Sequence, residues 1–186
     1  MTPLARFLST VPKAHRENKD WQLDQKNQQL YYQGQLFDLA IFHDLLTPVV
    51  YYFREWQKMN NLEAQVLVVS AKDYTRYYQA FPILPLPKET AYRVVILPQL
   101  NTHVNSHIED AYWYHTVKGN PILRIHSHHS FDAYQSHTDH DSLNSGTLEM
   151  VIGHIEQPMV SVAYWLTRYS DPTAKDRVFT EKLPIA

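Results

Sequence analysis

The sequence predicts an α+β, or mixed α/β, domain with a largely buried central sheet flanked by helices. Two apolar, β-branched runs of strand length, AQVLVVSA and YRVVILPQL, supply the buried strands. A stripe of apolar residues at three- and four-residue steps precedes them and supplies a helix. Helix, strands, helix, strand, loop and strands then follow one another, which mixes the two classes in one chain. At 186 residues, with 4 Trp, 13 Tyr and 7 Phe, the chain is long enough for one well-filled core and too short for two.

Each element has its own warrant. Residues 1–37 form an N-terminal arm in which QQLYYQGQLF alternates weakly, as a short strand pair would. Phe42, Leu45, Leu46, Val49, Val50, Phe53 and Trp56 make the helical stripe, which Pro48 interrupts. Proline is welcome at a first helical position and Thr47 is a good N-cap, so the expected helix runs from about Pro48 to Lys58. The two buried strands come next, separated by the proline-punctuated FPILPLPKE. Val104, Ile108, Ala111, Tyr112 and His115 predict a second helix over residues 101–118, ended by Gly119. PILRIHSHHS reads as a strand, and LEMVIGHI and MVSVAYWLTR as two more, parted by the turn residues Gln157 and Pro158. The folded domain is expected over residues 38–170, with 171–186 as a C-terminal tail.

Composition narrows the function. Seventeen Lys and Arg against nineteen Asp and Glu give a net charge of −2 without a basic block, which argues against nucleic acid as a partner. Four glycines are few for an architecture built on phosphate-cradling loops. No run of eighteen apolar residues is present, so a cytoplasmic protein without a membrane partner is expected. The absence of cysteine removes disulfides, thiolate metal sites and a cysteine nucleophile, leaving His and carboxylate as the metal ligands.

Those ligands are concentrated in one place. His126, His128, His129, His137 and His140 lie within fifteen residues, interleaved with Asp132, Asp139 and Asp141. On a strand, His126 and His128 project from the same face about 6–7 Å apart, within reach of one ion. The loop SFDAYQSHTDHDS then offers a carboxylate as third ligand. Zinc takes His nitrogen and Asp oxygen tetrahedrally, and three protein ligands leave one position for water, the catalytic arrangement. A solvated His-rich loop is the bland alternative, but the pattern His-x-His-x7-Ser-x2-Asp arises by chance in only about two chains per thousand. His103, His107 and His115 sit at helical spacing without an interleaved acid and read as a helix surface.

The stretch His126-Ser127-His128, followed by Ser136 and Asp139, resembles the JAMM motif of the JAB/MPN zinc metallopeptidases, matching it in spacing. The resemblance in order of elements covers residues 39–169. It implies a JAB/MPN-like, cytidine-deaminase-like core, with zinc held by His126, His128 and Asp139 and Ser136 beside the metal water. The family also places a glutamate between a helix and the first core strand, where this chain has Glu63; Glu55 is the fallback. His129 stands where the family usually has proline, and AQVLVV lacks the glycine common there.

The implied reaction is hydrolysis of an amide bond in a protein or peptide, a ubiquitin-like tail among the candidates. Glu63 would be the base and proton shuttle, and Ser136 would donate to the oxyanion. His137, His140 and Asp141 would flank the ligands. A non-catalytic JAB/MPN scaffold and a zinc-binding module that stores or senses the metal are the alternatives. Substrate identity and oligomeric state are not legible.

Overall fold

The computed structural model describes residues 20–60, 62–96, 121–136, 147–166 and 177–185. It is a mixed α+β fold: a seven-stranded mixed sheet, a three-stranded antiparallel sheet and one long helix. The helix expected over residues 101–118 lies outside the described residues, as do His137, Asp139, His140 and Asp141. Among the described residues no helix is long and apolar enough to cross a membrane.

The small sheet consists of β1 (Trp21–Asp24), β2 (Gln29–Tyr32) and β3 (Gln35–Leu36), in that order. Only its second hairpin was expected. Gln33 and Gly34 turn that hairpin with φ of 50° and 78°, the left-handed pair that a tight two-residue turn demands. These strands are packed rather than free: Trp21, Leu30 and Tyr32 join the main hydrophobic core, and the Trp21 indole N–H donates to the carbonyl of Ile122 at 2.8 Å.

The helix α1 (His43–Asn60) starts five residues before the expected Pro48 and carries that proline inside it. Thr47 is no cap, and its hydroxyl has no partner among the described residues. An internal proline costs about 3 kcal/mol. Burying Leu45 and Leu46, both ahead of the proline, returns about 1.5–3 kcal/mol each, so extending the helix wins.

The large sheet contains β4 (Gln65–Ser70), β5 (Ile83–Leu84), β6 (Tyr92–Ile96), β7 (Leu123–Ser127), β8 (Leu148–Gly153), β9 (Met159–Leu166) and β10 (Phe179–Pro184). Their order is β10-β9-β8-β7-β4-β6-β5, and among the described strands only β7 and β8 run parallel. The strands in AQVLVVSA, YRVVILPQL, LRIHS, LEMVIG and MVSVAYWL fall where their apolar runs predict. β1, β5 and β10 were not anticipated. A short helical turn, Ala71–Asp73 continuing as a π-turn through Tyr74–Tyr78, follows β4.

The two sheet faces differ in chemistry. One face, carrying Val66, Val68, Val94, Leu123, Ile125, Met150 and Val162, shares its core with α1 residues such as Leu46, Val49, Val50 and Phe53 and is mainly apolar, with the buried Ser127 at the end of β7. The other carries two separate apolar clusters, Leu67, Val69, Val95 and Tyr78 over β4 and β6, and Val151, Ala163 and Trp165 over β8 and β9. Between them, on β7 and its neighbours, stand the buried polar side chains Gln65, His126 and Glu149.

Candidate metal centre

Register places the polar residues in rows across this second face. Arg124 is level with Glu149 on one side, and its guanidinium Nε donates to the Glu149 carboxylate at 2.5 Å. One step along, Val151, His126 and Gln65 are level on β8, β7 and β4. His126 and Gln65 form an antiparallel pair, which sets their side chains on the same face with Cβ atoms about 4.5–5.5 Å apart.

The next row contains His128 and Glu63, just beyond the formal ends of β7 and β4. Two bonds carry the register past those ends: the Ser127 N–H donates to the Ala64 carbonyl at 3.0 Å, and the Ala64 N–H donates to Ser127 Oγ at 2.9 Å. Carried one residue further, the same register would set Glu63 opposite His128, on the face that carries His126. His126 and His128 are 7% and 5% exposed, whereas Glu63 is only partly buried. Glu55, by contrast, is on α1 at the opposite side of the sheet, paired with Lys58 at 2.7 Å in solvent.

The two imidazoles meet a geometric requirement of zinc. A ring centre lies about 3.2 Å from an ion that its nitrogen binds at about 2.0–2.1 Å, so two rings at the tetrahedral angle have centres about 5.2 Å apart. The His126 and His128 centroids are 5.1 Å apart, with the ring planes at 60°. The spacing matches the one that two ligands of a shared ion would have. Among the described residues no group of three His, Cys, Asp or Glu side chains could hold a metal, and Asp139, the expected third ligand, lies outside them.

Beyond His128 the chain leaves β7 and folds back over the same face. The His128 N–H still donates to the carbonyl of Ile152 at 2.9 Å. His129 then takes φ of 50°, a left-handed conformation that proline, fixed near −65°, cannot adopt, so the departure at this position extends to the backbone. Burial lowers the His129 pKa, with Glu156 opposing the shift, and neither ring nitrogen has a hydrogen-bond partner among the described residues.

The returning loop crosses Gly153, the β8 residue beside His128. A Cβ there would meet the carbonyl oxygen of Phe131 at 2.2 Å, the nitrogen of Ala133 at 2.5 Å and the carbonyl carbon of Asp132 at 2.6 Å. Glycine is therefore what lets the loop lie flat on the strand. Three contacts hold it: the His154 N–H to the Phe131 carbonyl at 2.9 Å, the Ala133 N–H to Ser161 Oγ at 2.9 Å, and a contact of His154 Nε2 with the Asp132 carboxylate at 2.9 Å. Tyr134 packs against the His128 ring with centroids 4.7 Å apart, and Ser136, two residues on, is partly buried.

Of the five residues expected to form the site, His126 and His128 thus share one face with ring centres 5.1 Å apart, and Glu63 lies two residues before Gln65, the strand partner of His126. Ser136 is on the loop that returns over them, and Asp139 is outside the described residues. Sequence reasoning missed Gln65, Ser127 and Gly153. Only the isolated glycine in LEMVIGHI signalled a close backbone approach; the other two depend on a strand partner about sixty positions away. No family model and no curated protein matches this chain.

Proposed function

We propose that the chain is a zinc-dependent peptidase or isopeptidase built on a JAB/MPN-like core. The observation that carries this reading is the 5.1 Å separation of the His126 and His128 rings on a buried sheet face. His126, His128 and Asp139 would hold the metal. Zinc bound there would lower the pKa of its water to about 7 and polarise a carbonyl. Glu63 is not a ligand in this scheme. It takes a proton from water during attack on the amide carbon and returns it to the leaving amine, so the acid and base duties fall to one carboxyl group. Ser136 donates a hydrogen bond to the oxygen that becomes negative; losing such a donor typically costs about 2.7–4 kcal/mol in barrier.

The substrate on this reading is an extended peptide or the tail of a ubiquitin-like protein, met in the cytoplasm. The deciding experiment compares wild type with Glu63→Gln on a panel of peptide and ubiquitin-fusion amides, read by mass spectrometry. Glutamine keeps the shape, so zinc content and fold should be retained while turnover drops about 10²–10⁴-fold or more. Unchanged turnover would remove Glu63 from the chemistry. A zinc-loaded wild type that cleaves none of the panel would favour a scaffold.

A further inference from the structure

Ser127 lies between the two candidate ligands, yet strand alternation turns its side chain to the other face, toward the core shared with α1, and it is 1% exposed. It cannot touch a metal or a substrate bound beside His126 and His128. Its hydroxyl nevertheless has a defined task. In a regular antiparallel pair two opposed residues exchange both main-chain N–H···O bonds. Here Ser127 N–H donates to the Ala64 carbonyl, but the return bond from Ala64 N–H ends on Ser127 Oγ at 2.9 Å. A side-chain oxygen has taken the place of a main-chain carbonyl at the first residue outside β4.

That residue is the one next to Glu63. A register that would set Glu63 opposite His128 must pass through this Ala64–Ser127 pair, because β4 itself begins only at Gln65. We infer that Ser127 is a positioning residue whose hydroxyl, acting from the far face of the sheet through the Ala64 amide, fixes the Glu63 carboxylate beside the metal site. The inference rests on the proposed peptidase reading, and it adds a reason why a hydroxyl stands between the two histidines. Removing it leaves the buried Ala64 N–H without its acceptor, so the entry to β4 shifts to find another. A displacement near 1 Å at a catalytic group can cost about 10²-fold in rate. The ligands themselves, held by β7 main-chain bonds, are not moved.

The test uses the full chain loaded with Co²⁺, whose visible spectrum reports the metal site without any substrate. The pH at which that spectrum changes depends on the carboxylate beside the metal, so Glu63→Gln should move the midpoint. Ser127→Ala should bind Co²⁺ with unchanged stoichiometry and move the midpoint in the same direction, and Ser127→Thr, which keeps the hydroxyl, should restore it. Hydrogen exchange of the Ala64 amide should be faster in Ser127→Ala and protected in Ser127→Thr. On any peptide the wild type cleaves, Ser127→Ala should lower kcat about 10²-fold with KM held. Should Ser127→Ala fail to fold, Ser127→Val set against Ser127→Thr makes the same comparison with matched shapes. A wild-type midpoint in the hydroxyl-free variant, while Glu63→Gln shifts it, overturns the inference and leaves the peptidase reading intact. A wild-type midpoint in Glu63→Gln itself removes the base assignment, and the inference falls with it.

Discussion

Replacing Gly153 by alanine adds one methyl group and strikes only main-chain atoms. The Phe131 carbonyl oxygen would have to retreat from 2.2 Å to an ordinary contact of at least 3.4 Å, a shift of about 1.2 Å. β8 cannot supply it, being bonded on both sides and buried along its whole length, so the loop over residues 131–133 must lift. Lifting breaks the His154 N–H···Phe131 O and Ala133 N–H···Ser161 Oγ bonds, each worth about 1 kcal/mol net, and overpacking adds 1–3 kcal/mol if the loop resists. The expected loss is about 2–5 kcal/mol, which lowers Tm by about 4–20 °C in a chain of this size. The same loop leads to Ser136 and onward to Asp139, so zinc affinity, measured by competition with a chromophoric chelator, should fall together with Tm. Gly34→Ala is the control: Gly34 has φ of 78° but open space around it, so that variant should lose about 1 kcal/mol and leave zinc binding alone. A Gly153→Ala protein with wild-type Tm and zinc affinity would refute the claim that the loop is seated on this glycine.

Further expectations follow from the same geometry. Elemental analysis of the purified protein should find one zinc per chain, and both His126→Ala and His128→Ala should lose it; unchanged content in both would sink the ligand assignment. Asp139→Asn should weaken zinc in competition curves while Asp141→Asn should not, since only Asp139 has the motif spacing from His128; a stronger effect at Asp141 would shift the loop register and Ser136 with it. Burial, aided by Asp73, raises the Tyr78 pKa above the ordinary value of 10.0, so the folded state holds a proton that the unfolded state releases. Stability from this group is complete below pH 10 and declines as pH rises beyond it, and Tyr78→Phe should flatten the fall of Tm with pH in that alkaline range.

What the sequence disclosed, and what it concealed, follows from where each signal is written. β4 and β8 announce themselves because a strand buried on both faces must be apolar at nearly every position, and β6 and β9, only partly buried, by their apolar β-branched runs. β10 hides because it is an edge strand: FTEKLP mixes charges with apolar residues and pairs only with β9. β1 is similar, with Gln22 exposed beside a buried Trp21. The start of α1 was misplaced because Pro48 is a strong local signal, while the burial that overrides it is tertiary. In the site, the likeness of His126 and His128 in orientation follows from a two-residue period and needs no partner strand. The roles of Gln65 and Ser127 arise only when β4 meets β7 across sixty-odd residues, and no local pattern encodes that register.

The sheet also explains how a polar site can be tolerated inside a fold of this size. All of the long helix packs on the apolar face, so stability is drawn mainly from one side, through Leu46, Val49, Val50 and Phe53 against the strands. The opposite face is left to accommodate Arg124, Glu149, His126, His128 and Gln65 in adjoining rows without interrupting that core. Burying such groups costs free energy unless they are paired, and pairing is visible in the first row as the Arg124–Glu149 ion pair, whose side chains are 15% and 1% exposed. A cation bound between the His126 and His128 imidazoles in the following rows would add its binding energy to folding stability directly. Zinc should therefore raise Tm of the wild type and leave Tm of His126→Ala and His128→Ala unmoved, which ties the chemistry of this face to the thermodynamics of the sheet that carries it.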